Sequence, residues 1–303
     1  MLTGLASAAM FLASVWVPPA GLVFTMASPL PVALAAARGG LRGGLTAFLA
    51  ATAAVLLLGG PVGAALYAAQ FGAPGAVLGL AERAHRPAHA VVGGYVALAA
   101  LGTALVFTVL ALATGMSPGA WLHETVQQTR QMIADAVGPA GDDPRAALAL
   151  QEALDRTAAV LEKLFPGLFT AVTMLAGWAN AVALRRLVHD PEAPSWTEWR
   201  APEPLIWGLL GAGFLGTLAP GGLRVAAWNV FLALGAVYFL QGLAVMQHLF
   251  VTRGFPKFFR GAAYALIFLQ FPVMLLVAAV GAFDLWFDFR ARWSPSRPPG
   301  KGE

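Results

Sequence analysis

The chain has 303 residues, of which 58% are apolar and 11% are charged, whereas soluble domains contain about 45–50% apolar and about 25% charged residues. This composition indicates that lipid surrounds much of the protein, because stretches of about 20 apolar residues between short polar loops are typical of membrane-spanning helices. The net charge of +4 comes without a basic stripe interleaved with aromatic residues, which argues against nucleic-acid binding, and the absence of cysteine excludes disulfides, thiolate catalysis and Cys-ligated metal sites.

The apolar residues fall into nine segments. They are 2–17, 20–37, 43–58, 62–81, 90–114, 166–184, 204–219, 225–250 and 261–283. Several of them are shorter than the roughly 20 residues that a hydrocarbon core about 30 Å thick requires. Segment 204–219 is the least secure of the nine. We therefore predict an all-α polytopic transmembrane helix bundle of eight or nine spans.

Basic residues concentrate in four loops, which predicts the orientation of the bundle. The loops contain Arg38 and Arg42; Arg83 and Arg86; Arg185, Arg186 and Arg200; and Arg253, Lys257 and Arg260. Nine crossings place all four loops on one side, which should be the cytoplasm, but leave the basic tail outside. Eight crossings, which we favour, bring the tail inside but move the last loop outside.

The region 117–165 is the main extramembrane part. Ser117 is a favourable N-cap and Pro118 a favourable first helical residue, and an apolar stripe follows at helical spacing. A turn ends at Asp143-Pro144, where a second amphipathic helix begins and continues into the next span. These helices could form a packing cap, a lid over a binding site or a surface that docks a partner.

Amide side chains, but no charged ones, interrupt the apolar segments. They belong to Gln70, Asn180, Asn229, Gln241, Gln247 and Gln270. Amides in hydrocarbon need hydrogen-bond partners, so they should face the bundle interior. In the eighth segment, one face, which we expect to point inward, is shared by Tyr238, Gln241, Val245 and His248. Asn229 and Gln247 lie near the two ends of that segment, where headgroups or water could satisfy them.

Two interpretations of these amides stay open. The first is interhelical hydrogen bonding, worth about 0.6–2 kcal/mol for each bond. The second is a pocket for a polar, largely uncharged solute, which would draw on Gln70, Asn180, Gln241 and Gln270, with Asn229 a weaker candidate. The absence of charged residues inside the spans argues against transport driven by protons or sodium, because such transporters place ionisable groups near the midplane.

The sequence FDLWFDFRARW at 283–293 ends the last span. A helix places Asp284 and Asp288 on one face, close to Arg290. We interpret this motif as an interfacial anchor at headgroup level. The two carboxylates could instead bind a cation or serve as acid and base in a membrane enzyme. No zinc-protease, nucleophile-elbow or phosphate-loop signature occurs, so we predict no metal and no cofactor.

Four stretches of the chain contain motifs that can be compared with a known family. They are LPVALAAARGGLRGG at 30–44, WRAPEPLIW at 199–207, YFLQGLAVMQHLF at 238–250 and GAFDLWFDFR at 281–290. Together, in this order and spacing, they resemble the YybS-like family of bacterial membrane proteins. The resemblance implies a multi-pass protein of the bacterial inner membrane. It also implies that the N-terminal helices are similar to the six-helix substrate-binding subunits of energy-coupling-factor transporters, which have no energy source of their own.

The sequence therefore predicts three parts: a six-helix unit over 1–187 that includes the extramembrane helices, additional transmembrane helices over 188–290, and a basic tail over 291–303. We expect a transporter-like membrane subunit that binds a small uncharged or weakly polar solute. The alternative is a structural or assembly protein that holds a protein partner in the bilayer without a ligand. A membrane enzyme that uses Asp284 and Asp288 is a third hypothesis.

Overall fold

The computed structural model describes residues 2–16, 18–137, 144–188 and 198–293, and every regular element within them is helical. A π-helical turn at Ala68–Gly72 separates the third and fourth α-helices. The α-helices are α1 (Leu2–Trp16), α2 (Pro18–Ala27), α3 (Pro29–Tyr67), α4 (Ala73–Arg83), α5 (Ala88–Thr114), α6 (Pro118–Val137), α7 (Pro144–Val188), α8 (Pro204–Leu218), α9 (Gly221–Thr252), α10 (Lys257–Leu269), α11 (Phe271–Phe287) and α12 (Phe289–Trp293). The predicted all-α fold class is confirmed for this part of the chain.

Helix length and composition indicate four or five membrane spans among the described residues. Four stretches are long and apolar enough to cross a bilayer: Val23–Arg83, Ala88–Thr114, Arg145–Val188 and Gly221–Thr252. Helices α10 and α11 form a fifth if the pair, bent by 106°, is one broken span. The expected eight or nine spans are not confirmed, because α1 and α8 are short and Val23–Arg83 forms one continuous helical stretch.

Two glycines interrupt the 39-residue helix α3. Gly40 and Gly60 have φ angles of 62° and 76°, a left-handed conformation that glycine adopts at little steric cost. Pro61, which follows the second break, has no backbone N–H to donate to the preceding turn. Helix α3 therefore bends at the two positions where the sequence separates three apolar segments, 20–37, 43–58 and 62–81.

Small residues bring the N-terminal helices close together. A Cβ atom on Gly79 of α4 would fall on the carbonyl group of Ala33 in α3, and one on Gly4 of α1 would fall on the carbonyl group of Ala47. Helices in lipid associate through such contacts because no hydrophobic driving force acts between them. Helices α3, α4, α5 and α7 share a buried cluster that includes Ala33, Ala37, Leu78, Val91, Tyr95, Ala181 and Leu184.

Helix α6 and the first half of α7 form an antiparallel hairpin. Arg130 on α6 pairs with Asp155 on α7 at 2.6 Å, and His123 contacts Glu162 at 2.8 Å. The side chains along the hairpin are mostly exposed. Helix α7 then continues without interruption past Pro166 into the bundle, so that one helix of 45 residues joins the hairpin to the opposite end of the protein.

The start of α6 has the cap that the sequence predicts. The hydroxyl oxygen of Ser117 accepts a hydrogen bond from the backbone N–H of Ala120 at 3.2 Å, and Pro118 is the first helical residue. Pro144 begins α7 as expected, whereas Asp143 lies outside the described residues. The prediction of two helices between 117 and 165 is confirmed.

Helix α9 lies at the centre of the C-terminal helices, and α11 crosses it at two glycines. A Cβ atom on Gly242 of α9 would fall on the carbonyl group of Val277, and one on Gly281 of α11 would fall on the carbonyl group of Tyr238. The two backbones are therefore in direct contact. At this crossing, neither helix has space for a side chain larger than hydrogen.

The basic loops meet at one end of the bundle. Arg83 donates a hydrogen bond to the carbonyl oxygen of Arg38 at 3.0 Å, and Arg38 donates to that of Leu187 at 3.4 Å. The positive charges of Arg186 and Arg260 both act on the same tyrosine of α10. Residues from all four basic loops thus lie at one end, which agrees with the scheme of nine crossings and not with the favoured scheme of eight.

The glycine crossing predicts a sharp difference between two alanine substitutions in α9. Gly242→Ala forces the backbones of α9 and α11 apart, and we expect it to lower the free energy of unfolding by about 1–3 kcal/mol. Gly235→Ala adds a methyl group where no atom lies within 4 Å, so it should leave stability unchanged or raise it slightly. Denaturant titrations in detergent measure both, and equal effects would contradict the crossing.

Candidate functional site

A buried carboxylate organises the C-terminal helices. Asp284 on α11 is fully buried. One oxygen, Oδ2, accepts hydrogen bonds from the Arg290 guanidinium at 3.0 Å and from the Gln241 amide at 3.3 Å. The other, Oδ1, accepts one from the backbone N–H of Phe289 at 3.0 Å. These contacts supply a charged partner and two further donors, which a carboxylate removed from water requires.

The same network holds the segment that leads into α8. The amide oxygen of Gln241 accepts a hydrogen bond from the backbone N–H of Ala201 at 2.9 Å, and Arg290 donates to the carbonyl oxygen of Trp199 at 3.0 Å. Three of the four stretches that suggest a family resemblance therefore meet here. We call the set of Trp199, Ala201, Gln241, Asp284 and Arg290 the polar cluster.

The polar cluster corrects one sequence expectation. Asp284, Asp288 and Arg290 were expected together at a solvated membrane interface. Asp284 and Arg290 are instead buried, and only Asp288 keeps about half of its side-chain surface exposed. The difference arises because Asp288, in a left-handed conformation with φ of 42°, ends α11 and allows α12 to turn Arg290 back onto Asp284.

Asp288 forms a separate ion pair at the edge of the polar cluster. One of its carboxylate oxygens lies 2.6 Å from the Arg200 guanidinium. Partial burial acts to raise the pKa of Asp288, but hydrogen bonds from Arg200 and the backbone of Ala291, together with the charges of Arg200 and Arg290, outweigh burial and hold this pKa below its ordinary value. The carboxylate is therefore ionised at neutral pH.

The residues expected on the inward face of α9 are buried as far as Val245, but so is every residue from 238 to 245, and burial therefore does not distinguish this face from the others. His248 is only partly buried. Tyr238, Gln241 and Val245 are each exposed by 2% or less. The expectation for the two terminal amides, however, was wrong. Asn229 bonds to α7 across the bundle, and the amide oxygen of Gln247 accepts a hydrogen bond from the Tyr264 hydroxyl at 2.7 Å. Neighbouring helices, rather than headgroups or water, provide these partners.

Asn229 compensates for a proline in the long helix α7. Its amide oxygen accepts a hydrogen bond from the backbone N–H of Gly167 at 2.6 Å, and its amide nitrogen donates to the carbonyl oxygen of Lys163 at 2.9 Å. A regular helix would join these two backbone groups directly. Pro166 disturbs the helix at this turn, and the amide of Asn229 contacts both sides of it.

The other candidate amides lie far from one another in the fold. Asn180 donates hydrogen bonds to the carbonyl oxygens of Met26 at 2.6 Å and Ala176 at 2.7 Å. Gln70 is half-buried in the π-helical turn, and Gln270 is exposed at the bend between α10 and α11. None of Gln70, Asn180, Asn229, Gln241 and Gln270 lines either of the cavities described below.

The sequence analysis did not predict a second buried ion pair. Glu82 at the end of α4 lies 2.7 Å from Arg185 on α7, and both side chains are exposed by 10% or less. Both residues lie directly beyond the ends of predicted apolar segments, so they were assigned to loops. The signal that could have revealed Glu82 is its isolation, because it is the first acidic residue of the chain.

Two cavities lie beside Trp178, where the N-terminal helices meet α9. The first has a volume of about 340 Å³ and lies between α5, α7, α9 and the segment before α8. The second has a volume of about 450 Å³ and lies between α7, α9 and α10. The first is lined by Ala88, His89, Val92, Gly93, Val96, Ala97, Met174, Trp178, Trp199, Pro202, Leu205, Val237 and Leu240, and the second by Trp178, Val182, Arg185, Arg186, Leu243, Ala244, Gln247, Tyr264 and Phe268.

Comparison with known proteins identifies a family. The model of the family described as "Predicted membrane protein (DUF2232)" matches residues 5–285. The chain belongs to this family. The match runs from α1 into the end of α11 and contains Gln241 and Asp284, whereas Arg290 lies beyond it. No curated protein and no solved structure matches the chain significantly.

The buried ion pair of the polar cluster predicts unequal costs for two alanine substitutions. Asp284→Ala leaves the Arg290 guanidinium buried without its carboxylate, and we expect a loss of about 3–5 kcal/mol in the free energy of unfolding. Arg200→Ala removes a half-exposed ion pair, which should cost about 0–1 kcal/mol. If both variants unfold at the same denaturant concentration in detergent, Asp284 does not organise these helices.

The bridge from α9 to α7 yields another stability prediction. Asn229→Ala leaves backbone groups beside Pro166 without their side-chain partner, and we expect a loss of about 1–3 kcal/mol. Gln270→Ala, at the exposed bend, is the matched control and should change stability by less than about 0.5 kcal/mol. Thermal and chemical unfolding in detergent measure both variants, and an Asn229→Ala midpoint equal to that of the control would contradict the bridge.

Proposed function

We propose that the protein is a transporter-like membrane subunit that binds a small uncharged or weakly polar solute in the first cavity. The observation that carries this proposal is the chemistry of the cavity wall. The described residues that line it include no Asp, Glu, Lys or Arg. A volume of about 340 Å³ lies at the lower end of the range of small-molecule sites, about 300–1,000 Å³.

The indole of Trp199 supports a solute with a hydrogen-bond acceptor. Its N–H group is buried and has no hydrogen-bond partner among the described residues. A buried donor without a partner costs about 1–3 kcal/mol, so such a group in a native structure calls for an explanation. If the Trp199 indole rotates slightly, its N–H group can donate to a hydrogen-bond acceptor of the solute.

The polar cluster supports the proposal by fixing one wall of the cavity. Trp199 and Pro202 line the cavity, and the hydrogen bonds from Arg290 to Trp199 and from Ala201 to Gln241 hold the backbone between them. In this proposal Gln241 positions the wall instead of contacting the solute. Gln70, Asn180, Asn229 and Gln270 do not line this cavity. In this proposal Asn180 and Asn229 hold helices of the bundle together.

We propose that the protein works as a subunit of a transporter, as the sequence suggests. The N-terminal helices resemble subunits that bind substrate without an energy source of their own. The spans contain few charged groups, which favours a subunit that depends on a partner for energy. We also propose that the protein lies in the bacterial inner membrane. If the pieces of α3 and the short helices α1 and α8 each cross the bilayer, the chain crosses it eight or nine times.

One observation favours the alternative of an assembly protein that holds a partner. The hairpin formed by α6 and α7 exposes apolar side chains outside the bundle, among them Met132, Ile133 and Leu148. In addition, Asn180, Asn229 and Gln241 are all used in contacts between parts of this chain. A protein that only scaffolds its partner would use its amides in the same way.

Native mass spectrometry of gently solubilised protein tests the proposal. Gly93 lines the cavity, and a Cβ atom at this position meets no other atom within 4 Å, so Gly93→Phe fills the space with little strain. We expect wild-type protein to retain a small molecule and Gly93→Phe to lose at least about nine-tenths of it. Gly211→Phe, which also adds its side chain to open space, is the control and should retain it.

One further variant tests the role of Trp199, and two other results would favour different conclusions. Trp199→Phe should weaken retention about five- to tenfold if the indole N–H binds the solute, since one hydrogen bond is worth about 1–1.5 kcal/mol. A small molecule retained equally by Gly93→Phe would contradict the site. A protein that co-purifies with the wild-type chain, without any small molecule, and is lost from Ile133→Asp would support the assembly role.

A further inference from the structure

We propose that the second cavity binds an anionic amphiphile, with a phosphate group at its arginine end and an apolar tail along its aromatic wall. The cavity is distinct from the site proposed for the neutral solute. The two cavities share Trp178 as a lining residue. This inference depends on different side chains and does not require the proposed function.

The polar side chains of the second cavity belong to three helices. Arg185 and Arg186 come from the end of α7, Gln247 from α9 and Tyr264 from α10. The Tyr264 hydroxyl donates to the amide oxygen of Gln247 at 2.7 Å. This bond fixes the orientation of the Gln247 amide and leaves its two N–H groups available as donors. Amide and guanidinium donors together suit the oxygens of a phosphate group.

The charge of this cavity is positive. Arg185 is paired with Glu82 at 2.7 Å, but among the described residues that line the cavity none is acidic. Arg186 therefore contributes a positive charge that no carboxylate in the cavity wall offsets. Arg260 adds a second, because its charge acts on Tyr264 together with that of Arg186. Basic pockets between transmembrane helices on one side of the bilayer bind anionic lipid headgroups.

The rest of the wall favours an amphiphile over a free anion. Trp178, Val182, Leu243, Ala244 and Phe268 provide a continuous apolar surface, and a cavity of about 450 Å³ is far larger than one tetrahedral phosphate. A lone anion would leave this surface uncovered, whereas an acyl chain would cover it.

The position of the cavity allows lipid to enter. Helix α10 forms one side of it and carries exposed apolar residues, with Phe268 and Leu269 exposed by 50% and 80%. Helix α10 ends at the 106° bend at Gln270. The cavity also lies at the end of the bundle where the basic loops meet, which is the level that a headgroup would occupy.

Native mass spectrometry with defined lipids tests this inference. Delipidated protein is mixed with phosphatidylglycerol or phosphatidylcholine of identical acyl chains, and the bound lipids are counted. We expect wild-type protein to retain phosphatidylglycerol preferentially and Arg186→Gln to lose about five-fold in that preference, the effect of about 1 kcal/mol for one arginine near the surface. Arg253→Gln removes a basic residue at the same end that does not line the cavity, and it should keep the preference.

A second measurement locates the lipid. Brominated phosphatidylglycerol quenches tryptophan fluorescence at short range, so the quenched fraction should fall in Trp178→Phe and the remaining tryptophans should respond as in the wild type. Inorganic phosphate and glycerol 3-phosphate at millimolar concentration distinguish the sources of the phosphate group. Displacement of bound phosphatidylglycerol by either anion would show that the phosphate group alone accounts for binding, and it would overturn the inference just as the three results below would.

The inference is overturned by any of three results. Wild-type protein could retain phosphatidylglycerol and phosphatidylcholine equally, Arg186→Gln could keep the full preference, or Arg253→Gln could lose as much as Arg186→Gln. Tyr264→Phe is a check that leaves the charge of the cavity unchanged. It frees the Gln247 amide from its fixed orientation and should reduce the preference about two- to twelvefold, since one hydrogen bond is worth about 0.5–1.5 kcal/mol. Loss of the neutral solute in Gly93→Phe leaves this site unaffected.

Discussion

The burial of one carboxylate governs the C-terminal half of the molecule. Removing a charged carboxylate from water is unfavourable by several kcal/mol unless protein groups replace the lost hydration. Asp284 obtains that replacement from Arg290, Gln241 and the backbone of Phe289. Arg290 and Phe289 belong to α12 and Gln241 belongs to α9, so α9, α11 and α12 must come together in one arrangement to satisfy the carboxylate. The arrangement also places Trp199 at the wall of the first cavity, which links the burial of a charge to the shape of that cavity.

The glycine crossing and the polar cluster depend on each other. Direct contact between the backbones at Gly242 and Gly281 brings α9 and α11 near enough for the Gln241 amide to reach Asp284. The hydrogen bonds of Asp284 in turn hold the crossing together, because in lipid neither helix gains from hiding apolar surface against the other. A larger residue at either glycine would separate the helices and leave the carboxylate without one of its donors.

Periodicity and local chemistry predicted much of the fold. The cap at Ser117 and the breaks in α3 each follow from residues close together in the sequence. The contacts of the candidate site follow from residues far apart: Asn229 meets Gly167 across 62 positions, and Asp284 meets Gln241 across 43. Periodicity shows which side of a helix points inward but not which neighbour it meets.

The same limit explains the charged residues that the sequence analysis assigned to loops and interfaces. Glu82 and Asp284 each stand one position beyond an apolar segment, where a charge ordinarily reaches water. Their burial depends on an arginine that returns from another element, Arg185 in one case and Arg290 in the other. The number of membrane spans is hard to predict for a similar reason. Val23–Arg83 is one helical stretch, but it changes direction, and in the sequence only its glycines indicate where.

Helix α7 is a single long helix that runs from the outer hairpin, which it forms with α6, to the end of the bundle where the basic loops lie. Its 45 residues, at about 1.5 Å for each residue, extend about 67 Å, more than twice the thickness of a hydrocarbon core of about 30 Å. Asn229 braces this helix where Pro166 would otherwise weaken it. Trp178, which lines both cavities, lies on the same helix beyond that brace. A tilt applied to the outer hairpin would therefore be transmitted along one helix to the walls of both cavities together.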